Sequence, residues 1–262
     1  MITEKETDAL IEKQIYDLFQ YIAQKGERTL YTGDKIKWVK TVPSTWPNFI
    51  FDFRFTDDEI EARVNELNEE IEQLIAPPLC IVPTNEQTAT LTTALENNGL
   101  RLSAQWTGMA LNLELFQPPV LPDGFVIHHV DSLPLLEEWS KVAGQYLFNN
   151  SQLDPELFSR FINDKNIKMY LGKYEGIPAA TSLVYLSGDA AGLYMIATSN
   201  EFRKKGLGTA ITSFPIQEAK QLNYKTAILH ATAAGRGVYK KIGFADFKVY
   251  NIFWKVGKKY KL

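Results

Sequence analysis

Residues 117–124, Gln117-Pro118-Pro119-Val120-Leu121-Pro122-Asp123-Gly124, constrain this chain more than any other stretch. Proline lacks the backbone donor that a helix interior or a central strand needs, so neither element can pass through here. Glycine at the end favours a turn. The chain must therefore break, and a boundary near Pro118 divides 262 residues into two parts of ordinary domain size, 1–118 and 119–262. Charge divides at the same place. Nineteen acids and ten bases occupy the first part, twelve acids and eighteen bases the second, so a net charge of −3 conceals an acidic half and a basic half. Opposite signs suggest different partners for the two units.

Composition narrows the classes. Hydrophobic residues are 45% and charged residues 23%, ordinary globular usage, which argues against disorder and fibrous repeats. No apolar run is long enough to span a bilayer, and residues 1–25 carry charges throughout, without the apolar stretch of a signal peptide. A cytoplasmic location and no membrane partner are the expectation. Cys80 is the single cysteine, and His128, His129 and His230 are scattered, so neither a disulfide nor a metal site is expected.

Hydrophobic periodicity predicts an amphipathic helix over 6–23, strands over 36–42 and 48–53, and a helix opening after Thr56-Asp57-Asp58-Glu59. A strand over 79–82, a helix over 88–98 and a strand over 102–115 complete the first half. In the second half the pattern predicts a strand over 125–130, helices over 133–147 and 155–163, and three strands over 169–173, 179–186 and 192–198. A helix over 206–222, a strand over 226–230, a helix over 237–242 and a strand over 247–256 follow. Pro215 falls inside the penultimate long helix and should bend it. Leu95-Glu96-Asn97-Asn98-Gly99-Leu100 and Tyr239-Lys240-Lys241-Ile242-Gly243-Phe244 share one pattern at an offset of 144, a helix stopped by glycine before a closing strand. Internal duplication and a common helix ending both explain it.

The segment from Gly192 to Ala210 carries the chemistry. A hydrophobic strand enters a short turn, and then Arg203-Lys204-Lys205-Gly206-Leu207-Gly208-Thr209 opens a helix. Unpaired N–H groups and the dipole at a helix start attract an anion. Glycine lets a phosphate approach the main chain, and three cations add positive potential. Neither a Walker pattern nor a dinucleotide G-x-G-x-x-G is present.

As R-x-x-G-x-G after a β-strand, Arg203 to Gly208 resembles the acetyl-CoA loop of the GNAT superfamily of N-acetyltransferases. Ile228-Leu229-His230-Ala231-Thr232 followed by Val238-Tyr239-Lys240-Lys241-Ile242-Gly243-Phe244 is similar to that superfamily's later strand and helix, which ends in Tyr-x-x-x-Gly-Phe. The resemblance covers about residues 124–256. It implies a mixed α/β (α+β) fold, with a central mixed, mostly antiparallel sheet flanked by helices, preceded by a second, smaller α/β domain. It places Ile196, Ala197 and Thr198 on the strand end that pairs with the pantetheine arm, and Arg203, Lys204, Lys205, Gly206, Leu207, Gly208 and Thr209 on the pyrophosphate loop. Thr232 stands where the family often has an asparagine. Tyr239 matches the tyrosine that protonates the departing thiolate. The implied co-substrate is acetyl-CoA, with no metal.

Two departures matter. Many members carry a glutamate on the strand before the loop, to deprotonate the amine, and residues 190–195 hold no carboxylate. A water chain, Asp189 or His230 must then serve. Nor does the first half have a counterpart loop, since Arg54-Phe55-Thr56-Asp57-Asp58-Glu59 would repel a diphosphate. It reads as a degenerate repeat without a cofactor site or as an unrelated cap. The expected function is transfer of acetyl from acetyl-CoA to a small-molecule or peptide amine by direct attack, with the acidic half bordering the acceptor's entrance. A non-catalytic acyl-CoA sensor is the alternative. A peptidoglycan-type aminoacyltransferase using aminoacyl-tRNA fits the net negative charge poorly, and no nucleic-acid partner is expected.

Overall fold

In the computed structural model, which describes residues 3–85, 88–151 and 153–257, the apolar periodicities settle into alternating strands and helices. The first half runs α1 (Glu4–Lys25), β1 (Thr29–Thr32), β2 (Lys37–Lys40), β3 (Asn48–Phe51), α2 (Ile60–Glu72), β4 (Leu79–Pro83), α3 (Thr88–Asn97) and β5 (Leu100–Asn112). The second runs β6 (Phe125–His129), α4 (Leu133–Leu147), α5 (Pro155–Ser159), β7 (Ile167–Tyr174), β8 (Ile177–Ser187), β9 (Ala190–Thr198), α6 (Leu207–Gln221), β10 (Thr226–Ala231), α7 (Ala233–Ile242) and β11 (Ala245–Lys255). Three elements depart from the periodicity. Strand β1 is short and mostly exposed, so it leaves no apolar signal. Helix α5 stops at Ser159, and Asn163 adopts a left-handed φ of 61°. Helix α7 begins at Ala233, because the Thr232 hydroxyl accepts from the Gly235 N–H and caps it.

Both halves use one order: three antiparallel strands, a helix, a strand parallel to the third, a helix and a last strand. Gly99 and Gly243, which close α3 and α7, are both left-handed, at φ 78° and 112°. The halves are nonetheless not separate. Among the described residues one sheet runs β1-β2-β3-β4-β11-β5-β10-β9-β8-β7-β6. Strand β11 enters between β4 and β5, and β5 enters between β11 and β10, so each half inserts its last strand into the other. The β5–β11 ladder extends from Ala245↔Ala110 to Lys255↔Leu100.

One face of this sheet is covered by α1, α4 and α5 in a core holding Phe19, Phe49, Trp139, Phe158 and Tyr250. The opposite face is covered at one end by α2 and α3, and at the other by α6 and α7. Helix α1 crosses from half to half. The buried Gln14 amide donates to the carbonyls of Tyr185 and Ala190, at 2.9 and 3.3 Å. At its end Tyr21 and Lys25 reach the buried Asp164, and Arg28 bonds Asp154 at 2.6 Å.

Helix α6 continues through Pro215. Proline removes the N–H that would bond the carbonyl of Ile211, and the buried Ser182 hydroxyl on β8 donates to that carbonyl at 3.0 Å. A neighbouring strand thus supplies the bond that the helix lacks.

Candidate active site

Strands β9 and β10 run parallel from Thr226↔Ala190 only as far as Leu229↔Leu193, although both continue. Beyond that point they part. The cause lies in β9, which carries one extra residue against β8 between Tyr194 and Ala197. Met195 there adopts a φ of 53°, and the Thr181 hydroxyl holds its carbonyl at 2.9 Å. Such a bulge bends a strand away from its neighbour. Ala197 and Thr198 keep their ladder to β8, Ile196 lies in the bulge, and the three turn a free backbone edge towards the gap.

Strand β9 leads through Ser199 and a single 3₁₀ turn, Asn200–Phe202, to Arg203, Lys204, Lys205 and Gly206, all four exposed. Gly206 is left-handed at φ 82° and heads α6, which no side chain caps. The first N–H groups of this helix, at Leu207, Gly208 and Thr209, precede any intrahelical acceptor. A β-carbon on Gly208 would stand 3.3 Å from the Thr198 hydroxyl, so glycine is what lets the turn close on the strand. Lys205 lies 5.0 Å over the Tyr174 ring, and Arg203, Lys204 and Lys205 enter no ion pair among the described residues. The nearby Glu201 is engaged by Ser199 and Tyr146. Free cations and open N–H groups make an anion cradle.

A cavity of about 360 Å³ fills the gap between the parted strands. Leu193 to Ile196 form one wall and Leu229, His230, Thr232 and Tyr239 another. The third comes from the first half, as Ile15, Trp46, Phe49, Leu79 and Trp106, with Leu147 and Phe148 beside it. No acid lines the cavity among the described residues. This corrects the expectation of an acidic wall: the acidic half presents rings and aliphatics here, and its charges lie elsewhere. The aromatic content of 46–55 was the only signal of this contribution, and nothing in its spacing pointed across to β9.

Of the expected site residues, Ile196, Thr232 and Tyr239 line the cavity, while Ala197, Thr198 and Arg203 to Thr209 lie outside its lining, on the strand end and turn that follow. Tyr239 reaches the cavity, and burial pushes its phenol above the ordinary tyrosine value, so it is protonated at neutral pH. Thr232 lines the cavity too, but its hydroxyl is committed to capping α7 at 3.3 Å. His230 has both ring nitrogens buried without partners, between Tyr194 at 6.4 Å and Tyr250 at 4.7 Å, and burial pushes its pKa down to about 3. A group so low is a poor base at pH 7. Asp189 is exposed, does not line the cavity and precedes β9, four residues before Leu193 and so roughly 13 Å from the nearest β9 lining residue, too far to act as base.

The first half opens a similar fork, with Ile50↔Cys80 as the single β3–β4 pair. At its helix start, however, Glu59 bonds Lys35 and Thr56, which hold its carboxyl down at about 2. That carboxylate lies at the turn into α2, where it would repel an anion. Among the described residues no three His, Cys, Asp or Glu side chains are placed to hold a metal, and no helix is long and apolar enough to cross a membrane.

Residues 140–251 match the family described as acetyltransferase (GNAT) domain. The chain is similar to the solved structure of a GCN5-related N-acetyltransferase from Kribbella flavida, at 15% identity and a TM-score of 0.71 over 92% of this chain and 95% of that one. It is similar to a GCN5-related N-acetyltransferase from Sphaerobacter thermophilus, at 14% identity and a TM-score of 0.62 over 96% and 93%. A tandem GNAT protein from the clavulanic acid biosynthesis pathway matches at 13% identity and a TM-score of 0.58 over 97% of each chain. At such identities these likenesses concern the fold. No curated protein matches the chain.

Proposed function

Because residues 140–251 match the GNAT acetyltransferase domain family, we propose that this chain transfers an acyl group, acetyl in the simplest case, from acyl-CoA to a primary amine. The parting of β9 and β10 in front of an uncapped, cation-flanked helix start carries this reading. The pyrophosphate belongs at Gly206, Leu207, Gly208 and Thr209, with Arg203, Lys204 and Lys205 neutralising its charge. The pantetheine arm belongs along Ile196, Ala197 and Thr198, whose free edge offers the hydrogen bonds of an added strand. Bound there, the thioester supplies an activated acyl carbon to the acceptor's nitrogen. As the carbon–sulfur bond breaks, the Tyr239 hydroxyl gives its proton to the sulfur, and it regains one from the nitrogen or solvent. A phenol near pKa 10 is a weak acid for a thiolate whose own acid is near 8.5. Inside the cavity the thiolate is desolvated as well, which raises its basicity alongside.

One cofactor per chain is expected, because the Glu59 carboxylate at the corresponding turn of the first half would repel a second diphosphate. The experiment is calorimetry with CoA on the intact chain and on Gly206→Asp and Gly208→Asp. Each substitution adds a carboxylate where phosphate should sit, and Gly206 is also left-handed, so at least tenfold weaker binding is expected. Unchanged affinity would remove this loop from the reading. No carboxylate lines the cavity among the described residues, which favours a second reading, a non-catalytic acyl-CoA sensor. Thiol release with a panel of amines decides: turnover supports the transferase, and tight CoA binding without turnover supports the sensor.

A further inference from the structure

We propose that the acceptor is an aromatic amine, uncharged at neutral pH, seated against the rings that both halves bring to the cavity. The inference rests on the transferase reading and deepens it. Its first support is the wall opposite the parted strands. Trp46, Phe49 and Trp106 come from the first half and Phe148 and Tyr239 from the second, and the Phe49 and Trp106 rings meet edge to face at 5.9 Å. Trp46 is fixed from behind by Phe158 at 6.5 Å. Rigid ring faces and edges select a planar apolar partner.

Aromatic walls also attract cations, so ring content alone does not decide. Charge does. No Asp or Glu lines this cavity among the described residues, so an alkylammonium entering it would leave water without a counter-ion. It would also have to lose a proton before attack, since on the order of one alkylamine in 10³ carries a free lone pair at pH 7. His230 is the basic side chain present, and burial holds it near 3. The titratable groups packed against His230 are Tyr194 of β9 and Tyr250 of β11, and Tyr16 of α1 stands next in line, acting on Tyr250. Glu12 and Asp8 of α1 act on Tyr250 from behind, but both face Lys248, Glu12 at 3.6 Å from its ammonium and Asp8 at 3.2 Å from its N–H. None of these offers the cavity a free carboxylate. An aromatic amine needs none, because its lone pair is shared with the ring and stays unprotonated at neutral pH.

The second support is polar. His230 has both ring nitrogens buried and unpartnered, and so is the Tyr194 hydroxyl; both residues line the cavity, with these polar atoms covered behind its surface. Native interiors rarely leave such groups unsatisfied. Once uncovered by a ligand, a neutral imidazole and a phenol supply two acceptors and two donors, which suits an uncharged N–H₂ group and gives nothing to balance a charge.

The constitutional isomers 4-ethylaniline and 4-methylbenzylamine test this. They share a formula and a ring, but at pH 7 the first is a free base and the second an ammonium ion. Each is titrated into the full chain by calorimetry, with and without CoA, and each is offered with acetyl-CoA while thiol release is followed. At least tenfold tighter binding and higher kcat/KM for 4-ethylaniline are expected at pH 7, with the gap closing as the pH approaches the benzylamine's own pKa. Trp106→Leu should weaken 4-ethylaniline binding about tenfold and leave CoA affinity within twofold. If that variant fails to fold, Phe148→Leu takes its place. Equal or tighter binding of 4-methylbenzylamine, or no binding of either isomer, overturns the acceptor class. Failure of CoA itself to bind would instead overturn the transferase reading, and the heats of the two isomers without CoA would still decide the chemistry of the cavity.

Discussion

Tyr239 and His230 face one cavity, and burial acts on both in the same sense, against charge. The phenol stays protonated and the imidazole stays neutral across the physiological range. Tyr239→Phe keeps the ring against Phe244, 6.2 Å away, and removes only the proton, so kcat should fall about 10²-fold with CoA affinity almost unchanged. An unchanged kcat would make Tyr239 a packing residue. For His230 the consequence is one of stability. Its folded pKa lies near 3 and its unfolded value near 6.5, so the unfolded chain binds the extra proton between these limits. Stability associated with this group is complete above pH 6.5 and is lost as pH falls towards 3. His230→Gln should therefore show a shallower fall in urea midpoint over that window than the parent chain. Parallel slopes would mean that His230 is not buried uncharged.

At the scale of elements, α6 shows how one awkward residue is accommodated. Pro215 orphans the carbonyl of Ile211, and Ser182 on β8 satisfies it at 3.0 Å. Ser182→Ala should cost about 1–2 kcal/mol by leaving a buried acceptor unpaired. Pro215→Ala restores an N–H at that position of the helix. In the double variant the helix can bond Ile211 itself, so the Ser182→Ala penalty should shrink to a few tenths of a kcal/mol. Denaturant unfolding of the four chains measures this coupling, and additive penalties would show that Ser182 does not stand in for the missing donor. The element matters to function because α6 presents Gly206, Leu207 and Gly208, and its axis aims that turn at the parted strands.

For the whole molecule the exchange of β5 and β11 is decisive. Residues 119–262 expressed alone would lack β5, leaving β10 and β11 with an open slot and Met109 and Leu111 missing from the core under α7. That fragment should fail to give a cooperative thermal transition, whereas co-expression with residues 1–118 should restore one. A well-folded, CoA-binding fragment would contradict the interlocking. Helix α1 adds to the same coupling through Gln14, Lys25 and Arg28, which all bond residues of the second half. The intact chain should accordingly unfold in a single transition by fluorescence and circular dichroism.

Local signals determined a good deal by themselves. Apolar periods of 3.6 and 2 located α1, α4, α6 and β7 to β11, because packing faces must repeat with the geometry of their element. The glycine turn from Arg203 to Gly208 and the Tyr239 to Phe244 segment were legible because phosphate approach and helix stops demand particular residues at particular spacings. The matching ends at Gly99 and Gly243 were legible for the same reason. What the chain could not reveal locally was partnership between distant segments. The seam at Pro118 marks a turn in the chain, yet the strands on its two sides interleave. Trp46, Phe49 and Trp106 meet Tyr194 and His230 only because β5 and β11 exchange places. Asp189 lies four residues from Leu193 in sequence and does not line the cavity, whereas Trp106 lies some ninety residues from Met195 and shares the cavity with it. Strand order, and with it the neutral aromatic character of the cavity, is set by long-range pairing, which no local period encodes.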